Sequence, residues 1–125
     1  KAGGLISVDA ATIEAGGNDR HKAAGTEVGW LVPDRLRKRW DLRIGFSSDV
    51  LPKLESVEKR LDIFMHDSLS VYDNMMYEYS QAVRLVKPGG LLISDDIETC
   101  SAFEEFAESR ARKPFCFGTL GVVQI

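Results

Sequence analysis

The chain is poor in several things at once. It has two cysteines, Cys100 and Cys116, and four prolines among its 125 residues. Two cysteines do not make a disulfide framework, and free thiols in a reducing compartment are the simpler expectation, which points to the cytoplasm. No apolar run reaches the roughly 20 residues that a membrane-spanning helix needs, and no signal peptide is visible, so no membrane role is expected. Basic residues are not in excess. The net charge is -3, which argues against nucleic acid as a partner, since that usually calls for a basic face. The local basic stretch RLRKRW at 35–40 reads as a solvated helix face. Internal repeats and low-complexity tracts are missing. An initiator methionine is missing too: the chain begins KAGGLISVDA, with almost no lead-in before an apolar run. A fragment, a processed product and an unseen start are all open readings of that beginning.

What is present suits one ordinary domain spanning 1–125. An apolar fraction of 44% is enough for a real core at this length. LISVD (5–9) reads as a short buried strand ending in Asp9. Residues 10–30 carry several glycines and little periodicity, and read as a long loop with at most one helical turn. PDRLRKR from Pro33 is a short helix, with proline in its first turn. WDLRIGFS (40–47) alternates Trp40, Leu42, Ile44 and Phe46 as a strand does. SSDVLPKLESVEKR opens with capping residues and reads as a helix with Pro52 in its first turn. LDIFMHDS (61–68) is a further apolar strand running into polar groups, within which His66 reads as a buried strand residue. Tyr72, Met75, Met76, Tyr79, Val83 and Val86 recur at helical spacing, so 70–86 is an amphipathic helix. KPGG breaks it. LLIS (91–94) is a strand apolar enough to be covered on both faces. SAFEEFAESRAR (101–112) is a helix with Ala102, Phe103, Phe106, Ala107 and Arg110 on one side, and FCFGTLGVVQI closes the chain as an antiparallel pair.

Strands alternating with helices imply a mostly parallel sheet with helices on both faces, and ligands in such folds bind beyond the carboxyl ends of the strands. Asp9, Asp67, Asp95 and Asp96 all stand where a parallel strand would finish. Parallel strands point the same way, so these carboxylates are expected along one rim. Like charges that close repel unless something positive lies among them, and a hard divalent cation with oxygen ligands would serve. The alternative is helix capping, since Asp67 and Asp96 each precede a helix. Spacing alone leaves both open.

In order along the chain, LISVD, LDIFMHDS, VKPGGLLISDDI and the closing hairpin resemble class I S-adenosylmethionine-dependent methyltransferases, in particular the small O-methyltransferase-like subgroup. The resemblance implies a Rossmann-like fold and S-adenosylmethionine as cofactor. It implies that Asp9 binds the ribose hydroxyls, a task suited to a carboxylate because it accepts two hydrogen bonds well. Phe46 and Ser47 fall where the third strand of the family contacts adenine, and Asp67 also falls in the cofactor region. In metal-dependent relatives such as catechol O-methyltransferase, the matching positions Asp67, Asp95 and Asp96 hold magnesium, which would align the acceptor hydroxyl and lower its pKa. The catalytic positions become Asp67 and Ser70, a serine standing where relatives place lysine or histidine.

Two functional expectations follow. The first is methyl transfer to a small hydroxylated molecule, with magnesium as a possible helper. The second is a methyltransferase-like module that catalyses nothing and dimerises or binds a partner. The family's opening strand and glycine-rich loop, about 20 residues ahead of Asp9 by analogy with the dinucleotide fingerprint, have no counterpart in KAGG. That absence and Ser70, a poor base at neutral pH, favour the second. An incomplete sheet leaves an unpaired edge, and unpaired edges invite partners, so a homodimer is expected.

Overall fold

The computed structural model describes residues 3–10 and 28–125; the loop expected across 10–30 therefore lies mostly outside the described residues. The chain divides into two units, Lys1–Lys53 and Leu54–Ile125.

In the first unit, β1 (Leu5–Asp9) and β2 (Trp40–Ile44) pair in parallel, with Leu5 opposite Trp40 and Asp9 opposite Ile44. The indole N–H of Trp40 donates to Ser7 Oγ at 2.9 Å, tying the two strands together through their side chains. Its ring leaves no room at Gly29, where a Cβ would lie 2.0 Å from the indole edge. β1 is less buried than its apolar sequence suggests: Leu5 is exposed and the rest of the strand is half-buried. The short helix α1 (Asp34–Arg37) follows Pro33 as expected. The longer helix expected from 47 onward is broken. α2 covers only Ser47–Val50, and 3-10 turns follow at Leu51–Lys53 and Glu55–Val57. Pro52 has no N–H to offer the carbonyl four residues back, so an α-helix cannot run through it.

The second unit carries β3 (Leu61–His66), α3 (Tyr72–Leu85), β4 (Val86–Ser94), α4 (Ala102–Ser109), β5 (Phe115–Phe117) and β6 (Leu120–Gln124). Its sheet has the order β3-β4-β6-β5; β3 and β4 are parallel, and β6 is antiparallel to both its neighbours. Phe64 and His66, Leu92 and Ser94, and Gly121 and Val123 are in register and buried, so they share one face. That face packs on α3 and α4. Tyr79 stacks edge-on against His66 and Phe103 and at a tilt against Phe106, and a Cβ at Gly121 would lie 2.4 Å from the Phe103 ring. Burying Phe103 and Phe106 contributes about 1.5–3 kcal/mol each. α4 buries Ala102, Phe103, Phe106 and Ala107 as its spacing predicts, while Arg110 at its end is exposed.

KPGG does more than break a helix. β4 begins directly at Val86, which pairs with Leu61; pairing resumes at Ile63 with Leu91, so Lys87–Gly90 bulge outward. Pro88 is tolerated there because a bulge needs no N–H from it. Gly89 adopts φ +82°, and a Cβ at Gly90 would lie 2.7 Å from the Asp62 carbonyl oxygen. The bulge is pinned to the chain's end, Gly89 N donating to Ile125 O and Ile125 N to Gly90 O. Its length sets the register that brings Ser94 opposite His66.

Candidate functional site

The first candidate edge lies at the carboxyl ends of β1 and β2. Because the pair is parallel and Asp9 faces Ile44, the residues that follow Ile44 turn away beside Asp9. Gly45 N donates to Asp9 O at 3.0 Å and closes this edge. Phe46 comes next and precedes the first turn of α2, with Ser47 behind it. The structure thus brings together three residues picked out from the sequence for the cofactor: Asp9, Phe46 and Ser47. Phe46 is 46% exposed, so its ring is available to a flat partner rather than used as core. Asp9 and Ser47 are half-buried.

The second edge lies at the carboxyl ends of β3 and β4. Asp95 N donates to His66 O at 3.0 Å, so Asp67 and Asp95 leave neighbouring strands side by side. Their carboxylates then go separate ways. Asp67 is exposed and forms no hydrogen bond or ion pair among the described residues. Asp95 Oδ1 accepts from Thr119 Oγ1 at 2.7 Å and from Asp96 N at 2.9 Å. Those two donors, Thr119 first, hold the Asp95 carboxyl below the usual aspartate range. Asp96 sits at φ +53°, a left-handed conformation that aspartate tolerates better than most residues, and its Oδ2 accepts from Ser70 Oγ at 3.0 Å. Thr99 Oγ1 lies 3.1 Å from Ser70 O and 2.9 Å from Asp96 O, which stitches the two segments together. Ser70, expected at a catalytic position, is a hydrogen-bond donor to Asp96 here.

Among the described residues no three His, Cys, Asp or Glu side chains group as metal donors. The expected magnesium set of Asp67, Asp95 and Asp96 does not fit such an ion as placed, because Asp95 is turned to Thr119 and Asp96 to Ser70.

Behind this edge lies a polar cluster that the sequence reading did not pick out, apart from His66. His66 is fully buried, as its strand position predicts, and its Nδ1 lies 2.8 Å from Glu78 Oε2. Its Nε2 has no hydrogen-bond partner among the described residues. Glu78 Oε1 accepts from Ser68 Oγ at 2.8 Å and from Asn74 Nδ2 at 3.3 Å. Asn74 Nδ2 also reaches Leu69 O at 2.9 Å. Tyr79 Oη and Ser94 Oγ are 2.7 Å apart, and the Ser94 hydroxyl is 3.1 Å from Asp95 O. Burial pushes the Tyr79 phenol up to about 12, the Ser94 hydrogen bond pulling weakly the other way. One signal for Glu78 was present in the sequence. It stands three residues after Met75 and four before Ala82, on the stripe that α3 buries. Tyr72, expected by its spacing on the core face, is 39% exposed instead, and its hydroxyl donates to Glu105 at 2.6 Å.

A family described as a methyltransferase domain matches residues 1–97. The chain belongs to that family. The match covers LISVD, LDIFMHDS and VKPGGLLISDDI, the segments that carried the resemblance, and stops short of the terminal hairpin. Among solved structures, an O-methyltransferase from Bacillus cereus in complex with SAH superposes with a TM-score of 0.54 at 19% identity, over 73% of this chain and 53% of that one. At that identity the likeness is one of fold, and it agrees with the Rossmann-like alternation of strands and helices. This methyltransferase-family chain spans about half the length of that enzyme. No curated protein sequence matches it.

Proposed function

We propose that the chain binds S-adenosylmethionine at the ends of β1 and β2 and serves methyl transfer to a hydroxyl of a small molecule. The observation that carries the reading is the parallel β1–β2 pair of a methyltransferase-family chain, which sets Asp9 beside Gly45, Phe46 and Ser47. A ribose offers two neighbouring hydroxyls, and one carboxylate accepts from both; that is the role of Asp9. The exposed ring of Phe46 offers adenine a stacking surface, and Ser47 offers it a hydroxyl. Transfer moves a methyl group from sulfonium sulfur to the acceptor oxygen, and the hydroxyl proton leaves to a base. Ser70 is a poor base and its hydroxyl is engaged with Asp96. The family resemblance, rather than the geometry, makes Asp67 at the end of β3 the candidate for that base.

Calorimetric titration with S-adenosylmethionine tests it. Binding in the micromolar range is expected, and Asp9→Ala is expected to weaken it at least tenfold, since each hydrogen bond to a charged group contributes about 1.5–3 kcal/mol. A folded chain that gives no heat would overturn the reading. If such a chain also runs as a dimer in light scattering, the non-catalytic module is the better account, and Ser70 in place of a basic residue supports it.

A further inference from the structure

Glu78 is the one carboxylate buried among the described residues, with 4% of its surface exposed. A buried carboxylate without partners is costly, and an apolar side chain of similar volume at that position would usually pack at no loss. Its partners show what it does. Oε2 meets His66 Nδ1, and Oε1 accepts from Ser68 and Asn74. Asn74 in turn holds the Leu69 carbonyl. Apart from Asn74, one turn back on its own helix, these groups belong to the last residue of β3 and the segment just after it. Asp67 and Ser70 flank the two held residues, Ser68 and Leu69.

We propose that Glu78 is the positioning residue of the second edge: from inside the fold it clamps His66 and Ser68, and so fixes where the strand end presents Asp67 and Ser70. Other ties hold this segment too. Val71 N donates to Leu69 O, Asp95 N to His66 O, Thr99 Oγ1 reaches Ser70 O, Ser70 Oγ donates to Asp96 Oδ2, and Asn74 Nδ2 donates to Ser68 Oγ at 3.2 Å. Of these only the Asn74 amide reaches the Ser68 side chain, and Asn74 itself donates to Glu78 Oε1; none fixes the His66 ring. Fixing that ring matters to Tyr79 as well, whose ring meets it edge-on at 5.7 Å. The kinetic consequence rests on the proposed methyl transfer; the structural one does not.

The test is amide hydrogen exchange on residues 67–71, with the amides of Val122–Gln124 in β6 as the measure of global stability. Glu78→Ala is expected to speed exchange at 67–71 at least tenfold more than in β6. Glu78→Gln, which keeps an acceptor for Ser68, is expected to recover most of the protection. Ser68→Ala removes one spoke without leaving a charge unpaired, and decides the matter if Glu78→Ala does not fold; it is expected to loosen the same amides. In a methyl-transfer assay Glu78→Gln is expected to lower kcat at least tenfold less than Glu78→Ala, with the S-adenosylmethionine Kd within twofold of the wild type in both. Exchange that rises equally in both segments, or not at all, overturns the proposal, as does an unchanged kcat in Glu78→Ala. If the wild type transfers no methyl group, the functional reading fails, and the exchange comparison still decides the role of Glu78.

Discussion

Tyr79 lies fully buried between His66, Phe103 and Phe106, with its hydroxyl against Ser94. Its phenol is raised from the ordinary 10.0 to about 12 because burial penalises the phenolate. The sign of the linkage follows. In the unfolded chain Tyr79 ionises first, so its contribution is fully present below pH 10 and is lost as pH rises toward 12. The full loss is about 2–3 kcal/mol, from two units at 1.36 kcal/mol each. Urea unfolding at pH 9 and at pH 11.5 should therefore show a steeper alkaline loss for the wild type than for Tyr79→Phe; equal slopes would contradict the assignment. At this scale the sequence was legible wherever a residue obeyed strand alternation. His66 is buried as its place between Met65 and Asp67 implies, and Asp67 and Asp95 emerge together at strand ends. For Glu78 only its place on the buried stripe of α3 was legible; its role was not, because nothing local shows that His66 and Ser68 will fold back to meet it.

Among the elements, the bulge in β4 is the most constrained. A Cβ at Gly90 would come within 2.5 Å of Val86 Cγ1 and 2.7 Å of Asp62 O. A side-chain methyl can give way and a paired backbone oxygen cannot, so the strand would have to move. Gly90→Ala is expected to cost about 1–3 kcal/mol as an overpacking change, read as a lower urea midpoint. The β3–β4 register makes the Ser94–Tyr79 contact sensitive to the same change; a midpoint equal to the wild type would count against the bulge as the register-setting device. The expected helix from 47 onward failed at Pro52 for a reason the sequence did contain, since proline removes a donor wherever it falls past the first turn. The spacing of Tyr72, Met75, Met76, Tyr79, Val83 and Val86 finds Met75, Tyr79 and Val86 buried, but passes over Glu78, Ala82 and Leu85, and Tyr72 is exposed. Tyr72 bonds outward to Glu105, which also accepts from Ser101, a clamp between α3 and α4 that no periodicity encodes.

Across the described residues, the order of strands and helices was legible because most strands are short apolar runs near turn signals, and the parallel β3–β4 pair follows from the helical crossing by α3 between them. The place of the last two strands was less so. Their antiparallel pairing is local and readable, but β6 rather than β5 lies against β4, with Leu91 opposite Gln124 and Ser94 opposite Gly121. That choice belongs to packing: Gly121 opposite Ser94 leaves space for the Phe103 ring, and Thr119, in the turn before β6, reaches Asp95. The central claim is that the ends of β1 and β2 hold the cofactor. The most direct measurement is an amide chemical-shift titration of the 13.9 kDa chain with S-adenosylhomocysteine. The account predicts that Asp9, Gly45, Phe46 and Ser47 shift together and saturate with a single affinity. Shifts that saturate while leaving those four residues unmoved would contradict it.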